Sequence, residues 1–347
     1  MTDIFPISLL VSILLIFISK IQGRRGIVNL RKSPQTLHKK SISRFGGVAI
    51  FFSLLIVSLF DGSENYEFLR KALYCSSPIF ILGILDDFEV KIKPFVRLII
   101  VFPSAFLSYY FLDVEAYSLD ILYIDRLFEF KIFSIVFICF AIAGMVNAFN
   151  IIDGINGLVL LYTLTICILI LLFQSSSSST QINLFFVAIF FAIFAVFILN
   201  FPFGRIFLGD GGAYFLGLML SIGVIKYYQI NDLSPWYVFS VFIYPITDVF
   251  ISIIRRTIAK VSIFNPENKH LHHLVYKRVK KMNIESENIN HALTTLFIFV
   301  LYFPFLLSAN YFADNTIVLQ IQCLVFLIFY LALYAILNPK ELAFRKA

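Results

Sequence analysis

Charge is what this chain has least of. Only 14% of its 347 residues are Asp, Glu, Lys or Arg, against 60% hydrophobic. That balance excludes a disordered chain and an ordinary water-soluble domain, both of which need far more polar surface. Cysteine is scarce too: Cys75, Cys139, Cys167 and Cys323 lie in or beside apolar runs, without a Cys-x-x-Cys or a mixed Cys/His cluster. A disulfide framework and a thiolate zinc site are therefore not expected. The alternating pattern of a transmembrane barrel is missing. So is the basic start of a signal peptide: in MTDIFPISLLVSILLIFISK, Asp3 precedes the apolar run, while Lys20, Arg24 and Arg25 follow it. This charge order is that of a first transmembrane helix with its N-terminus outside.

What abounds is hydrocarbon. Apolar runs of roughly 17 to 25 residues, with 42 Phe in the chain, read as membrane spans, and spans without barrel alternation read as helices. The expected fold is all-α, a polytopic integral membrane bundle of about 11 transmembrane helices, forming one domain over 1–347. The spans fall near 4–21, 45–60, 72–85, 95–112, 132–149, 157–173, 182–200, 212–230, 236–254, 292–309 and 317–337, the third being short. QSSSSSTQ at 174–181 reads as a polar outer connector.

The basic residues orient the bundle. With the N-terminus outside, segments 20–44, 86–97, 150–157, 201–211 and 255–290, which form the expected site, and the tail after 337 are inner, and they hold 23 of the 28 Lys and Arg. The C-terminus is then cytoplasmic. The net charge of +7 belongs to this inner face, where it meets anionic lipid, and calls for no nucleic-acid partner.

The costly polar residues gather on that same face. Asp86 and Asp87 adjoin at the end of the third span, followed by Lys91, Lys93 and Arg97. Two adjacent carboxylates beside a membrane repel each other unless a cation, a proton or basic partners compensate. A solvated helix end is the simpler reading. In NAFNIIDGINGL, at 147–158, Asn147, Asn150 and Asp153 recur every third residue and drift along one helix face. Gly154 and Gly157 then allow a sharp turn and close approach of a ligand. A polar helix–helix seam accounts for two Asn but not for the whole set with Asp153 and Asn156. In IFLGDGGAYFLG, glycines around Asp210 expose N–H groups suited to phosphate, and Asp210 suits a hard cation. Asn200 and Arg205 stand just before it. HLHHL holds His270, His272 and His273, which suit phosphate binding or acid–base work; zinc and a basic loop on lipid headgroups are the alternatives. The inventory of carboxylates, cations and glycine turns at a lipid boundary suits metal-assisted phosphoryl transfer.

LDDF at 85–88, NAFNIIDGINGL, FLGDGGAYFLG and HLHH occur in the order seen in the polyprenyl-phosphate N-acetylhexosamine-1-phosphate transferases, and RKSPQTLHKKSISRFGG at 31–47 looks like that family's first inner loop. The chain resembles this family over about 31 to 274, and its WecA-type glycan initiators more than the MraY translocase. The resemblance implies a multi-pass enzyme of the bacterial inner membrane with its site facing the cytoplasm. It would move a sugar 1-phosphate from a UDP-sugar to undecaprenyl phosphate, releasing UMP and starting an envelope glycan such as O-antigen or capsule. It implies Mg²⁺, with Mn²⁺ able to substitute, a surrounding of membrane lipid, and leaves room for a homodimer. By similarity, Asp86, Asp87 and Asp153 are catalytic, Asp210 and Asn150 hold the metal, and Asn156, Asn200, Arg97, His270, His272 and His273 bind substrate. Direct attack by the acceptor, with an Asp of the pair as base, is the favoured route, although residue types leave a two-step route open.

Several positions depart from the family pattern. Asn156 stands where many bacterial members have Asp, GDGGA replaces the commoner GDxGS, and Arg97 lies about one residue farther from the Asp pair. The rival reading is a transporter or flippase with ionisable groups along a path through the bilayer. Only Asp248, near the inner end of the ninth span, points that way, and Arg255 or Arg256 is its expected partner.

Overall fold

The computed structural model describes residues 4–23, 42–61, 63–88, 92, 94–173, 179–263, 267–282 and 284–338. Among them the architecture is all-helical, with one parallel bridge between Ser43 and Ile206. The helices are α1 (Ile4–Gly23), α2 (Gly46–Asp61), α3 (Glu67–Asp87), α4 (Pro94–Leu112), α5 (Lys131–Ile152), α6 (Leu158–Leu172) and α7 (Thr180–Asn200). They continue as α8 (Gly209–Ile230), α9 (Pro235–Val241), α10 (Ile243–Ile258), α11 (Leu271–Lys280), α12 (Glu287–Tyr311) and α13 (Thr316–Leu337). Seven helices among the described residues are long and apolar enough to cross a membrane, an eighth if α9 and α10 form one bent span. The apolar stretches Ile4–Ile18, Gly46–Phe60 and Leu158–Leu172 are shorter helices.

All eleven apolar segments of the sequence fall on helices, with three differences of detail. The ninth is broken: α9 and α10 meet at 80°. Pro245 sits in the first turn of α10, where it has no N–H to give the carbonyl four residues back, so the preceding helix cannot run through. The third helix begins at Glu67, earlier than hydropathy suggests, because its charged first turn is held by a Lys71–Glu67 pair at 2.7 Å. Arg70 adds bonds to the carbonyls of Ser58 and Ser63. The third difference is α11, a helix in a segment expected only to be an inner loop.

α8 is the axis of the bundle. Almost every residue of it is buried, and it packs on α2, α3 and α5. Glycine permits this. A Cβ added at Gly47 would lie 2.1 Å from the Gly212 Cα, and one at Gly83 would lie 2.3 Å from the Gly211 Cα. The backbones of α2, α3 and α8 therefore touch where no side chain fits, the small-residue packing on which apolar helices rely in lipid. Gly83→Ala should cost about 1–3 kcal/mol by overpacking, read as a lowered melting temperature of the detergent-solubilised protein. An unchanged melting temperature would refute the close crossing.

The helix ends sort into two rims. One rim is tied by Trp236 Nε1 donating to the Leu119 carbonyl at 2.8 Å, Ser234 Oγ to Thr316 Oγ1 at 2.7 Å, and Gln181 to the Glu64 carbonyl at 3.0 Å. The opposite rim gathers the acidic and histidine side chains that the sequence singles out.

Candidate active site

At this rim the chain before α2 pairs with the chain before α8. Phe207 N–H donates to the Ser43 carbonyl at 2.7 Å, and the N–H groups of Gly46 and Gly47 donate to the carbonyls of Phe207 and Leu208 at 2.9 and 2.8 Å. Gly209 takes φ +80°, and a Cβ there would lie 2.7 Å from Asp87 Oδ2. Only glycine brings the backbone so close to that carboxylate. The result is a carboxylate at a helix start: Asp87 accepts from the N–H of Asp210 at 2.9 Å and of Gly211 at 3.0 Å. It thus satisfies two donors that the first turn of α8 leaves unpaired and meets the positive end of the helix dipole.

The two adjacent aspartates do different things. Asp86 is fully buried and takes Arg97 Nη2 at 2.8 Å, so the guanidinium compensates its charge inside the bundle. Asp87 faces the other way, 3.7 Å from Arg44 Nη1, and the same nitrogen lies 4.0 Å from Asp210 Oδ2. Asn150, on the last turns of α5, donates its amide to Asp210 Oδ1 at 2.9 Å. Asp153, the residue that ends α5, stands within electrostatic reach of the group. Its pKa is raised well above the ordinary value, first by burial and then by the Asp210 carboxylate, with Asp87 adding and Arg44 opposing. Two carboxylates thus lie within 4.0 Å of one arginine and a third is in its electrostatic reach, and Asp210 is the more open of the pair at the helix start, its side chain 22% exposed against 4% for Asp87.

That donor set fits Mg²⁺. Among the described residues no group of three or more His, Cys, Asp or Glu could hold a metal by itself. Mg²⁺ commonly uses one or two carboxylates and takes its remaining oxygens from water and substrate phosphates. Carboxylate oxygens gathered in this way suit such a hard cation. Asn150 would serve as a ligand only through its oxygen, which a half-turn of the amide would bring to Asp210.

The histidines form a second wall. α11 begins at Leu271, leaving His270 at its N-terminal boundary and His272 and His273 in its first turn. His270 Nδ1 lies 2.7 Å from Asp248 Oδ2, and its Nε2 lies 3.5 Å from Glu267 Oε1. Asp248 also accepts from Leu271 N–H at 2.9 Å and Tyr330 O–H at 2.6 Å. The expected pairing of Asp248 with Arg255 or Arg256 is corrected by this geometry: both arginines bind Glu267, which lies beyond their own helix and was not singled out in the sequence. His272 Nδ1 meets Tyr244 O–H at 3.3 Å. Its Nε2, and Nδ1 of His273, are buried without a hydrogen-bond partner. A Cβ at Gly154 would lie 3.3 Å from His272 Nε2 and 3.2 Å from His273 Cε1. The glycine turn of the polar ladder therefore packs on the two imidazoles that still have a nitrogen to offer.

Their titration follows from burial. Burial would lower the His270 pKa, but Asp248, through charge and hydrogen bond, and Glu267 raise it above the ordinary value. Burial, with neighbouring histidine charge, lowers His272 well below that value and His273 to about 4. A depressed pKa gives stability that is complete above the unfolded value of about 6.5 and is lost as pH falls toward the folded one. The melting temperature of the ligand-free protein should therefore fall between pH 6.5 and 4, and His273→Gln should flatten that slope. Equal slopes in the two proteins would contradict this environment.

The remaining residues singled out from the sequence are placed as follows. Asn200 is buried and donates to the Ile206 carbonyl at 2.6 Å, bracing the turn before α8. Asn156 is buried, its carbonyl taking Thr295 Oγ1 at 2.7 Å, and its unpartnered amide nitrogen lies 2.8 Å from where a Cβ on Gly204 would be. Asn147 bonds its own helix, at the Ala143 carbonyl. Arg205 lies over the Phe203 ring, 4.9 Å from its centroid. Lys91, Lys93 and most of the first inner loop lie outside the described residues.

Comparison with known proteins shows what the chain is similar to. The model for glycosyl transferase family 4 matches residues 69–228, the stretch that carries Asp86, Asp87, Asn150, Asp153 and Asp210. An undecaprenyl-phosphate alpha-N-acetylglucosaminyl 1-phosphate transferase of Thermotoga maritima is 29% identical over 72% of this chain and 74% of its own. The chain is similar to glycosyl transferase family 4 over residues 69–228. A protein of Bacillus subtilis named as a probable undecaprenyl-phosphate N-acetylglucosaminyl 1-phosphate transferase is 28% identical over 99% of this chain and 94% of its own. An undecaprenyl-phosphate alpha-N-acetylglucosaminyl 1-phosphate transferase of Escherichia coli K12 is 25% identical over 80% and 76%. The family match ends at residue 228, so the histidine wall lies beyond it. Arg44 also lies outside it; the sequence signalled that residue only as the first of Arg-Phe-Gly-Gly.

Proposed function

We propose that the protein transfers a sugar 1-phosphate, N-acetylhexosamine 1-phosphate, from a UDP-sugar to undecaprenyl phosphate, releasing UMP and starting a cell-envelope glycan. The observation that carries this reading is the convergence of Asp87, Asp153 and Asp210 on Arg44 at one rim of an apolar bundle. The names of the relatives, all undecaprenyl-phosphate sugar 1-phosphate transferases, support it, and they lend nothing to the transporter alternative. The basic segments support a bundle of eleven spans with the N-terminus outside and this rim in the cytoplasm of a bacterial inner membrane.

In the proposed reaction, an oxygen of the lipid phosphate attacks the phosphorus that carries the sugar. The bond from that phosphorus to UMP breaks as the new P–O bond forms, and UMP leaves with the electron pair. Mg²⁺, held by Asp210 with Asn150, would offset the charge of the diphosphate. Arg44 opposes phosphate charge at the same point and, being 36% exposed, is open to ligand. Because Arg97 neutralises the buried Asp86, the member of the pair that reaches the reacting groups is Asp87, which is the better base. Asp153, its pKa raised, holds a proton more readily than a solvated carboxylate. His272 and His273, neutral at pH 7, are hydrogen-bonding groups for substrate against the glycine turn; His270 acts through its neighbours.

The test incubates purified protein with undecaprenyl phosphate, Mg²⁺ and a panel of UDP-N-acetyl sugars and follows UMP. Acceptor-dependent release with at least one donor is expected, reduced about 10²–10³-fold in Asp210→Ala. No release with any donor, or release undiminished in that variant, would overturn the proposal.

A further inference from the structure

One cavity lies away from the carboxylates. It measures about 510 Å³ and lies between α11 and the end of α13, lined by Lys269, Lys277, Arg278, Lys280 and Lys281, with Asn268, Leu274, Leu337 and Asn338. Five cations and no acidic side chain line it. Glu267, the nearest acid in sequence, is engaged by Arg255 and Arg256.

Its position narrows the ligand. Leu337 ends α13, an apolar helix that shows most of its surface to the outside: Ile321, Leu324, Ile328 and Ile336 are all more than half exposed. A helix this apolar and this open faces lipid, so its end marks the level where hydrocarbon gives way to headgroups. α11 splits cleanly across its axis, with Leu271, Leu274, Val275 and Val279 buried against the bundle and Lys277, Arg278 and Lys280 exposed. A concave surface whose charged side chains are all basic, at the headgroup level, is matched by a phosphate diester that is fixed in the membrane plane.

We propose that this cavity binds the headgroup of an anionic phospholipid of the same leaflet. The lipid phosphate meets the lysines of α11, and its acyl chains run down the exposed side of α13. The consequence for the site is direct, because α11 is also the helix whose first turn carries His272 and His273. A lipid in the cavity holds the far end of that short helix and so steadies both imidazoles against Gly154. This last step rests on the proposed transferase reading; the binding itself does not.

The test uses the full-length protein, delipidated and reconstituted in nanodiscs of phosphatidylcholine alone or with phosphatidylglycerol, followed by native mass spectrometry of the released protein. Wild type should retain phosphatidylglycerol over phosphatidylcholine. The triple variant Lys277→Gln/Lys280→Gln/Lys281→Gln should lose that preference by on the order of 100-fold, as three surface cations would give. A control triple variant at Lys71, Arg126 and Lys131, outside the cavity, should keep it. Circular dichroism and the elution volume of both variants establish that they are folded. Equal retention of the two lipids by wild type, or unchanged preference in the cavity variant, would overturn the proposal. So would displacement of phosphatidylglycerol by millimolar inorganic phosphate, which would make the site one for free anions. Phosphatidylglycerol retained by a protein that releases no UMP would leave the lipid site standing while removing the transferase reading.

Discussion

Asp87→Asn is expected to abolish most turnover while leaving the protein folded. Asp87 does two jobs at once. It closes the start of α8 through the N–H groups of Asp210 and Gly211, and it places beside Arg44 an ionisable carboxyl whose pKa burial and the Asp210 charge push up to about 8, so that its negative form can serve as a base. Asparagine keeps one accepting oxygen and the shape, but removes the charge and turns an amide nitrogen toward one of the two donors. Alanine removes both acceptors. In a site this enclosed, an orphaned donor costs about 1–3 kcal/mol. The melting temperature should therefore fall in the order wild type, Asn, Ala. UMP release should instead fall by about 10²–10³-fold in both variants, since the charge is gone from both. A parallel ranking of activity and melting temperature would mean that Asp87 is only a helix cap. Asp87→Asn with activity within about tenfold of wild type would remove its charge from the mechanism.

The largest stability effect is expected at Asp248. Its carboxylate receives His270, Leu271 N–H and Tyr330 O–H, all buried. Asp248→Asn leaves a buried imidazole beside Glu267 without its main partner, and breaking a buried pair in this way costs about 3–5 kcal/mol. Tyr330→Phe removes one neutral donor and should cost about 0.5–1.5 kcal/mol. The pair can be isolated by a cycle: Asp248→Asn combined with His270→Gln should be less destabilising than the sum of the two single changes. The pH dependence gives a second check. Because the His270 pKa is raised, its stabilisation is complete below about pH 6.5 and is lost as pH rises through the folded value. That part of the profile should vanish in Asp248→Asn. Additive single changes, or a wild-type profile in the variant, would show that the carboxylate does not hold the imidazole.

The bundle and its chemical rim were legible because they rest on properties that accumulate along the chain. Run length fixes which segments can be helices spanning lipid, and the clustering of LDDF, NAFNIIDGINGL and FLGDGGAYFLG on segments of one side puts their side chains at one rim. Asn150 meeting Asp210 at 2.9 Å is the clearest instance. What escaped depends on helical phase and on partners far apart in sequence. The three histidines of HLHH look alike in sequence, yet the start of α11 at Leu271 separates them: His270 is held by two carboxylates and the other two turn toward Gly154. Asp248 lies 22 residues from His270, too far for any local pattern to connect them. The break at Phe242 escaped because hydropathy registers Pro245 as one more residue of an apolar run rather than as a missing donor. Asp86 and Asp87 read as a pair, but consecutive helical residues point about 100° apart, so one was bound to face the bundle interior.

The glycine crossings of α8 also act as a ruler. Gly211 and Gly212 directly follow Asp210 and press on Gly83 and Gly47, a turn or less from Asp87 and from Arg44. The spacing between these three candidate site residues is therefore set by backbone meeting backbone, the stiffest gauge a protein has, and not by side chains that can repack. Displacing such a group by about 1 Å can cost 10²-fold in rate. A methyl group inserted at either crossing thus lengthens the ruler itself, and the site goes out of calibration in a molecule whose helices remain assembled.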